Sequence, residues 1–444
     1  MLMRGGFQNQ CSLVGHAVCV CALLVSLVNA VVVVVRLRIA PGWKRCLLFF
    51  PFVLLNVLLP TIVWKVIMSV CEGEVNSEDD GLLSANTHIT YKYAGENLAT
   101  TAWISWIANT KLILLALGSE PYNSLMTNRP LLCCAAIALV IALRQHEIKN
   151  GKRQKENGDS QVHAFSKSEE KVNIEKDDVK TQSNESVAQM LRELMLWSAC
   201  MVTLIIMYRS LEAAEYFPLA FVISNKNRIL RFIGSNVFLS ILASSLFLNA
   251  AIGITLGLNC VRPFCNPYSA VSLSDFWARK WNLLVSKLLK DSVYKQIMRL
   301  SSNTRRRVQL QFVSVIMTFL VSALMHELII LHVDYRFGGK FLIFFFLHAM
   351  GVIGEQLIPN RLKSRIHKSF SQYAWSYCLC RVLQFLYVFI FTYGTAELYF
   401  IGPVFGIRLP EWLYESLMYL EENMISFSLF TRQGLQISKS ELRI

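Results

Sequence analysis

The sequence predicts an all-α polytopic membrane helical bundle of about eight transmembrane helices, and three observations carry that prediction. Of 444 residues, 54% are hydrophobic and only 17% charged, whereas soluble globular chains carry about 25% charged residues. Apolar runs of roughly bilayer-spanning length recur along the chain. Lys and Arg crowd the loops between those runs, as the positive-inside rule requires. Composition of this kind excludes disorder for most of the length, because a disordered chain needs low hydrophobicity and high charge. It also turns the net charge of +14 into a topology signal rather than a nucleic-acid footprint.

Taken in order, the clear spans are 12–35, 46–70, 190–207, 232–258, 308–331 and 341–358, and 375–404 is one tilted span or two shorter ones. Two segments are weaker. The run 98–118 carries Asn109 and Lys111, and 130–143 is short of the roughly 20 residues a helix needs to cross. The first run reads as a retained span rather than a signal peptide, since Arg36, Arg38, Lys44 and Arg45 follow it. The last residues, Glu441 to Ile444, match no retrieval or lipidation motif.

Charge then orients the bundle. The basic clusters 36–45, 262–307 and 361–368 are expected in the cytosol. The loop 71–96, with Glu72, Glu74, Glu78, Asp79 and Asp80, is expected in a lumen. Residues 144–189 form a polar charged loop that opens on Lys149, Lys152, Arg153 and Lys155 and has too few apolar residues to fold on itself. We expect it to be cytosolic and disordered, with the sequon Asn184-Glu185-Ser186 unmodified. Parity then demands that one of the two weak segments does not cross. The chain divides into N-terminal membrane helices (1–143), the charged loop (144–189) and a C-terminal membrane core (190–444).

The 12 cysteines lie mostly in apolar runs. Their close pairs, Cys19 with Cys21, Cys133 with Cys134 and Cys378 with Cys380, lack the spacing of a zinc site. They read as small hydrophobes, and no metal site is expected. His326 matters more. It stands in the apolar run 321–330, and an ionisable group inside a membrane is a functional candidate by default. The following Glu327 suggests a metalloprotease, but that motif needs a second His at position 330, which is Ile. Glu327 points about 100° away from His326, while Ser322 sits one turn before it and faces it. His16 and His348 read as packing residues, and Glu355 as a buried carboxylate near a helix end.

A second constellation is the run 266–282. Its Pro and Ser residues predict a turn into a helix capped by Ser272 or Ser274. Trp277 and Trp281 are four apart, which predicts one aromatic face of an interfacial helix with Arg279 and Lys280 on another. That pattern leaves Asn282 unexplained.

The Phe276-Trp277-x-x-x-Trp281-Asn282 core, followed by His326-Glu327 in a later apolar helix, resembles the wax synthase-like branch of the membrane-bound O-acyltransferases, the plant wax synthase type. The resemblance is strongest over 262–358, extends to 103–109 ahead of Lys111, and does not cover the charged loop. Ala278 and Lys280 stand where the family usually has Gly and Arg.

The resemblance implies transfer of an acyl group from acyl-CoA to a hydroxyl, with a long-chain alcohol or a sterol as acceptor and no resident cofactor. It implies His326 and Asn282 as catalytic residues, and Asp275, Trp277, Arg279, Lys280 and Trp281 as substrate-binding ones. Arg279, Lys280, Lys287 and Lys290 would meet the CoA phosphates. It implies a multi-pass protein of the endoplasmic reticulum whose partners are acyl-CoA, the lipid acceptor and the bilayer, with no nucleic acid. The leading expectation is a wax ester synthase. A sterol O-acyltransferase, a transporter lined by His326, Glu327 and Glu355, and an inactive scaffold are the alternatives; no internal repeat favours transport.

Overall fold

The computed structural model describes residues 18, 21–35, 37–75, 83–144, 187–213, 220–300, 304–334, 338–358 and 374–401. His16, Cys19, the acidic trio Glu78, Asp79 and Asp80, the sequon and the basic cluster 361–368 lie outside the described residues. Among the described residues the architecture is helical without a strand, apart from one isolated bridge between Leu143 and Cys260.

The helices follow the apolar runs. They are α1 (Cys21–Val35), α2 (Trp43–Val75), α3 (Leu83–Ala116), α4 (Tyr122–Asn128), α5 (Pro130–Ala138), α6 (Val187–Ala213) and α7 (Ala220–Thr255). Then come α8 (Leu283–Leu289), α9 (Thr304–Asp334), α10 (Lys340–Leu357) and α11 (Ala374–Ala396). Among the described residues, six helices are long and apolar enough to cross a membrane: α2, α6, α7, α9, α10 and α11. The chain is a multi-pass membrane protein. Large apolar side chains such as Val202 and Ile206 of α6 and Leu383 and Ile390 of α11 are exposed, as lipid-facing residues should be.

Both weak segments resolve into one unit. The run 98–118 is the second half of α3, and 130–143 is the nine-residue α5 followed by extended chain. At 1.5 Å per residue α5 is about 14 Å long, too short to cross. Lys111, which makes 98–118 a poor span, is completely buried against the end of α5. Its ammonium donates to the carbonyls of Ala136 (2.9 Å), Ile137 (3.3 Å) and Leu139. A cation at the C-terminus of a helix satisfies carbonyls that have no partner within it. The chain after α5 is then pinned to the exit of α7 by backbone hydrogen bonds from Arg144 to Asn259 and from Val261 to Ala142.

Arg45, read from sequence as a loop charge, is also buried. Its guanidinium donates to the carbonyls of Ile39 and Leu115 and to Asn123, tying the start of α2 to the end of α3 and to α4. Within the bundle, Asn56 of α2 donates to Asn109 of α3 at 2.9 Å. The main core joins α1 to α5 with α7 and α8. A second core packs Ala270, Leu273 and Phe276 against α9, α10 and α11.

Candidate active site

The segment between α7 and α8 is built by a chain of local caps. Asn266 takes the left-handed conformation (φ 47°) and leads into a 3-10 turn, Pro267–Ser269. Ser272 then caps the short turn Leu273–Asp275, its hydroxyl accepting the Asp275 N–H at 3.0 Å. Asp275 in turn accepts the Val271 N–H at 3.3 Å, which ties the residue before the cap to the turn. Asp275 also holds Arg279 at 2.8 Å.

The predicted interfacial helix does not form. Phe276–Lys280 is a π-turn, in which the Trp281 N–H reaches back five residues to the Phe276 carbonyl, and Trp281 itself is extended. The extra residue in the turn breaks the 3.6-residue period on which the amphipathic reading rested. The two indoles still touch, with centroids 6.4 Å apart, but they turn into the protein rather than towards lipid. Trp281 stacks on Phe276 at 5.1 Å and meets Phe264 at 5.6 Å. Trp277 lies against Phe319, Phe344, Phe345 and His348.

Asn282 follows with φ 38°, a left-handed conformation that Asn tolerates better than most residues. Its Oδ1 accepts the Val285 N–H at 3.4 Å and so caps α8. That bond commits the acceptor end of the amide. Among the described residues its NH2 group makes no hydrogen bond, and it is the end left to donate.

His326 stands on α9, half-buried, with its ring against Phe345 (4.9 Å) and Phe341 (5.6 Å) of α10. Its Nδ1 lies 2.7 Å from the Ser322 carbonyl. A carbonyl only accepts, so Nδ1 carries the hydrogen and Nε2 is the basic nitrogen. The residue one turn back faces His326 as expected, but through its main chain. Glu327 is buried and turned away: its carboxylate accepts the Phe341 N–H at 2.9 Å, at the N-terminus of α10. There a negative group meets the positive end of the helix.

The aromatic contacts bring the two constellations together, from His326 through Phe345 to Trp277 and Trp281. Most of the polar residues already have partners within the segment or beside it. Asp275 is buried in its caps, and Arg279 is engaged with it. Lys280 donates to Ser269 at 2.9 Å, and Lys287 is held by Asp291 at 2.6 Å. Lys290 is exposed. No group of three or more His, Cys, Asp or Glu suited to a metal occurs among the described residues.

Sequence reasoning missed two ties. Arg231 of α7 pairs with Glu397 at 3.0 Å, across 166 positions that give no local signal. His348 does more than pack: its Nδ1 accepts the Trp277 indole N–H at 3.0 Å and its Nε2 faces Thr395 at 2.9 Å. Its seven-residue spacing from Glu355, one face of a helix, was the available clue.

Fold and site together define a multi-pass membrane protein with a histidine centre inside the bundle. Residues 261–347, which hold both Asn282 and His326, match the model of the membrane bound O-acyl transferase family. The chain is 28% identical over 183 residues to a probable long-chain-alcohol O-fatty-acyltransferase 3 of Arabidopsis thaliana, covering 41% of this chain and 52% of that protein. It is 24% identical over 326 residues to acyl-CoA--sterol O-acyltransferase 1 of the same plant, covering 73% and 75%. Against the long-chain-alcohol O-fatty-acyltransferase of Simmondsia chinensis it is 34% identical over 116 residues, 25% of this chain and 32% of that one. The matched region thus spans about half the length of the first of these relatives.

Proposed function

We propose that the protein is an acyl-CoA-dependent O-acyltransferase that esterifies a long-chain alcohol to form a wax ester, with His326 as general base. The observation that carries this reading is the His326 ring. Its Nδ1–H is committed to the Ser322 carbonyl, which makes Nε2 the proton acceptor. It does so in the segment that matches the acyltransferase family.

In the proposed reaction Nε2 takes the hydroxyl proton while the alcohol oxygen attacks the thioester carbonyl carbon. A C–O bond forms, and negative charge collects on the former carbonyl oxygen. In this reading the NH2 group of Asn282 donates to that oxygen. Collapse breaks the C–S bond, and the imidazolium returns its proton to the departing sulfur. The products are ester and CoA thiol, with no net proton change, no covalent enzyme intermediate and no resident cofactor.

His326 lies about 29 Å along α9 from Arg307. With the basic loops cytosolic, in the endoplasmic reticulum membrane, the acyl-CoA arm enters the bundle from that end, past the exposed Lys290. The acceptor arrives from the bilayer.

A sterol acceptor is the second reading, favoured by one observation: the sterol acyltransferase relative aligns along far more of the chain than the alcohol acyltransferases do. Microsomes from a host lacking its own neutral-lipid acyltransferases, given labelled palmitoyl-CoA with hexadecanol, a sterol or diacylglycerol, separate the two. Wax ester supports the first reading. Steryl ester replaces it with the second, and absence of ester from folded protein with every acceptor rejects acyl transfer.

A further inference from the structure

The segment that carries Trp277 and Asn282 has no regular helix to hold it, because the chain there is a succession of caps and a π-turn. Its placement depends on what it touches, and one face of α10 supplies most of that. His348, Gly351 and Glu355 recur at three and four residues, so they form one stripe along the helix.

Each end of the stripe makes a three-way junction. At His348, the Trp277 indole N–H donates to Nδ1 at 3.0 Å, and Nε2 meets the Thr395 hydroxyl of α11 at 2.9 Å. An indole N–H can only donate, so Nδ1 is the acceptor and Nε2 carries the hydrogen. Thr395 in turn donates to the Phe391 carbonyl at 2.7 Å. The relay runs in one direction, from Trp277 through His348 and Thr395 to the main chain of α11.

At Glu355, two turns further on, the carboxylate accepts the Leu273 N–H at 2.6 Å on one oxygen. Its other oxygen accepts the Ser274 N–H and hydroxyl, both at 2.9 Å. The Tyr387 hydroxyl of α11 lies close enough to the same carboxylate to feel its charge. Here too the loop, α10 and α11 meet on one side chain. Between the junctions, a Cβ on Gly351 would stand 2.6 Å from Leu273 Cδ1 and 3.4 Å from Phe391. A side chain at that position would force the buried Leu273 side chain to shift.

The same helix face continues into catalysis. Phe345, one turn before His348, touches both Trp277 (5.9 Å) and His326 (4.9 Å). We propose that the stripe His348–Gly351–Glu355 is an alignment column, with His348 and Glu355 as positioning residues that fix the loop 272–282, and hence Trp277 and Asn282, against His326. The inference rests on the acyl-transfer reading for its effect on turnover, and on hydrogen bonds alone for the clamp itself.

The test uses full-length protein in lipid nanodiscs with two readouts, ester formation and hydrogen exchange of the 272–282 amides. The variants are His348→Leu, His348→Gln and Glu355→Gln. Leu removes both bonds, whereas Gln can still accept from Trp277 and donate to Thr395. Glu355→Gln turns an NH2 donor towards N–H groups that need an acceptor. The expected result for His348→Leu and Glu355→Gln is faster exchange confined to 272–282 and kcat reduced about 10- to 100-fold, the scale of a small misplacement of reacting groups. KM for acyl-CoA stays within about threefold, and His348→Gln restores most of kcat.

Unchanged exchange and turnover in both damaging variants overturn the proposal. So does turnover lost in step with exchange raised across the whole chain, which marks general unfolding. A wild type without esterifying activity rejects the acyl-transfer reading and the catalytic half of this proposal. The exchange data then decide the clamp by themselves.

Discussion

Replacing Glu327 separates an architectural carboxylate from a catalytic one next to the proposed base. In the structure it accepts the Phe341 N–H at 2.9 Å from a buried position. Glu327→Ala leaves that N–H without a partner, which costs about 1–3 kcal/mol. It also removes a negative charge from the N-terminus of α10, worth roughly 0.3–2 kcal/mol more. The sum is about 3 kcal/mol. Glu327→Gln keeps an acceptor oxygen and loses only the charge, so about 1 kcal/mol is expected. The apparent thermal midpoint in nanodiscs should therefore fall in the order wild type, Gln, Ala. Ester formation per folded molecule should stay within about threefold of wild type for Gln, whereas loss of a group that moves a proton costs about 10²- to 10⁴-fold. A Gln variant as stable as wild type and inactive refutes this assignment and moves Glu327 into the chemistry.

Three further outcomes follow from particular contacts. Asn282→Asp keeps the oxygen that caps α8 but removes the NH2 donor, so turnover should drop about 10²- to 10³-fold with the thermal midpoint unchanged; full activity would show that the amide only caps. Lys111→Met leaves the carbonyls of Ala136, Ile137 and Leu139 without their donor, at about 1–3 kcal/mol each, and detergent-extracted protein should elute as aggregate. Burial pushes the Cys260 thiol up to about 12. Because the thiolate is the reactive form, alkylation there should be negligible at pH 7–8 in folded protein and should rise only as the pH approaches that value; rapid labelling at neutral pH, read by mass spectrometry, would contradict the burial.

What could be read from the sequence tracks the range of the interaction involved. Bilayer thickness acts on contiguous residues, so 308–331 and 341–358 appear as α9 and α10 within a few positions. The hydroxyl cap at Ser272 is equally local and was legible. Lys111 misled because its acceptors lie 25 to 28 positions away, at the end of a helix too short to span. The spacing of Trp277 and Trp281 misled for another reason. A four-residue interval specifies one face only if the turn between is α-helical, and here it is a π-turn. The pairing of Arg279 with Asp275 depends on that same local geometry and gave no sequence signal of its own. His326 stood out through the cost of an ionisable group in an apolar helix. The direction of its ring, set by the Ser322 carbonyl, required the helix itself.

The most direct test of the account is ester formation by His326→Ala beside wild type, with labelled acyl-CoA and the preferred acceptor, in protein whose thermal midpoint matches. The account predicts that wild type forms ester and that the variant loses at least about 10²-fold of kcat, the lower bound for removing a general base. Ester formed by the variant at the wild-type rate would contradict it, because the hydroxyl proton would then leave without the His326 imidazole.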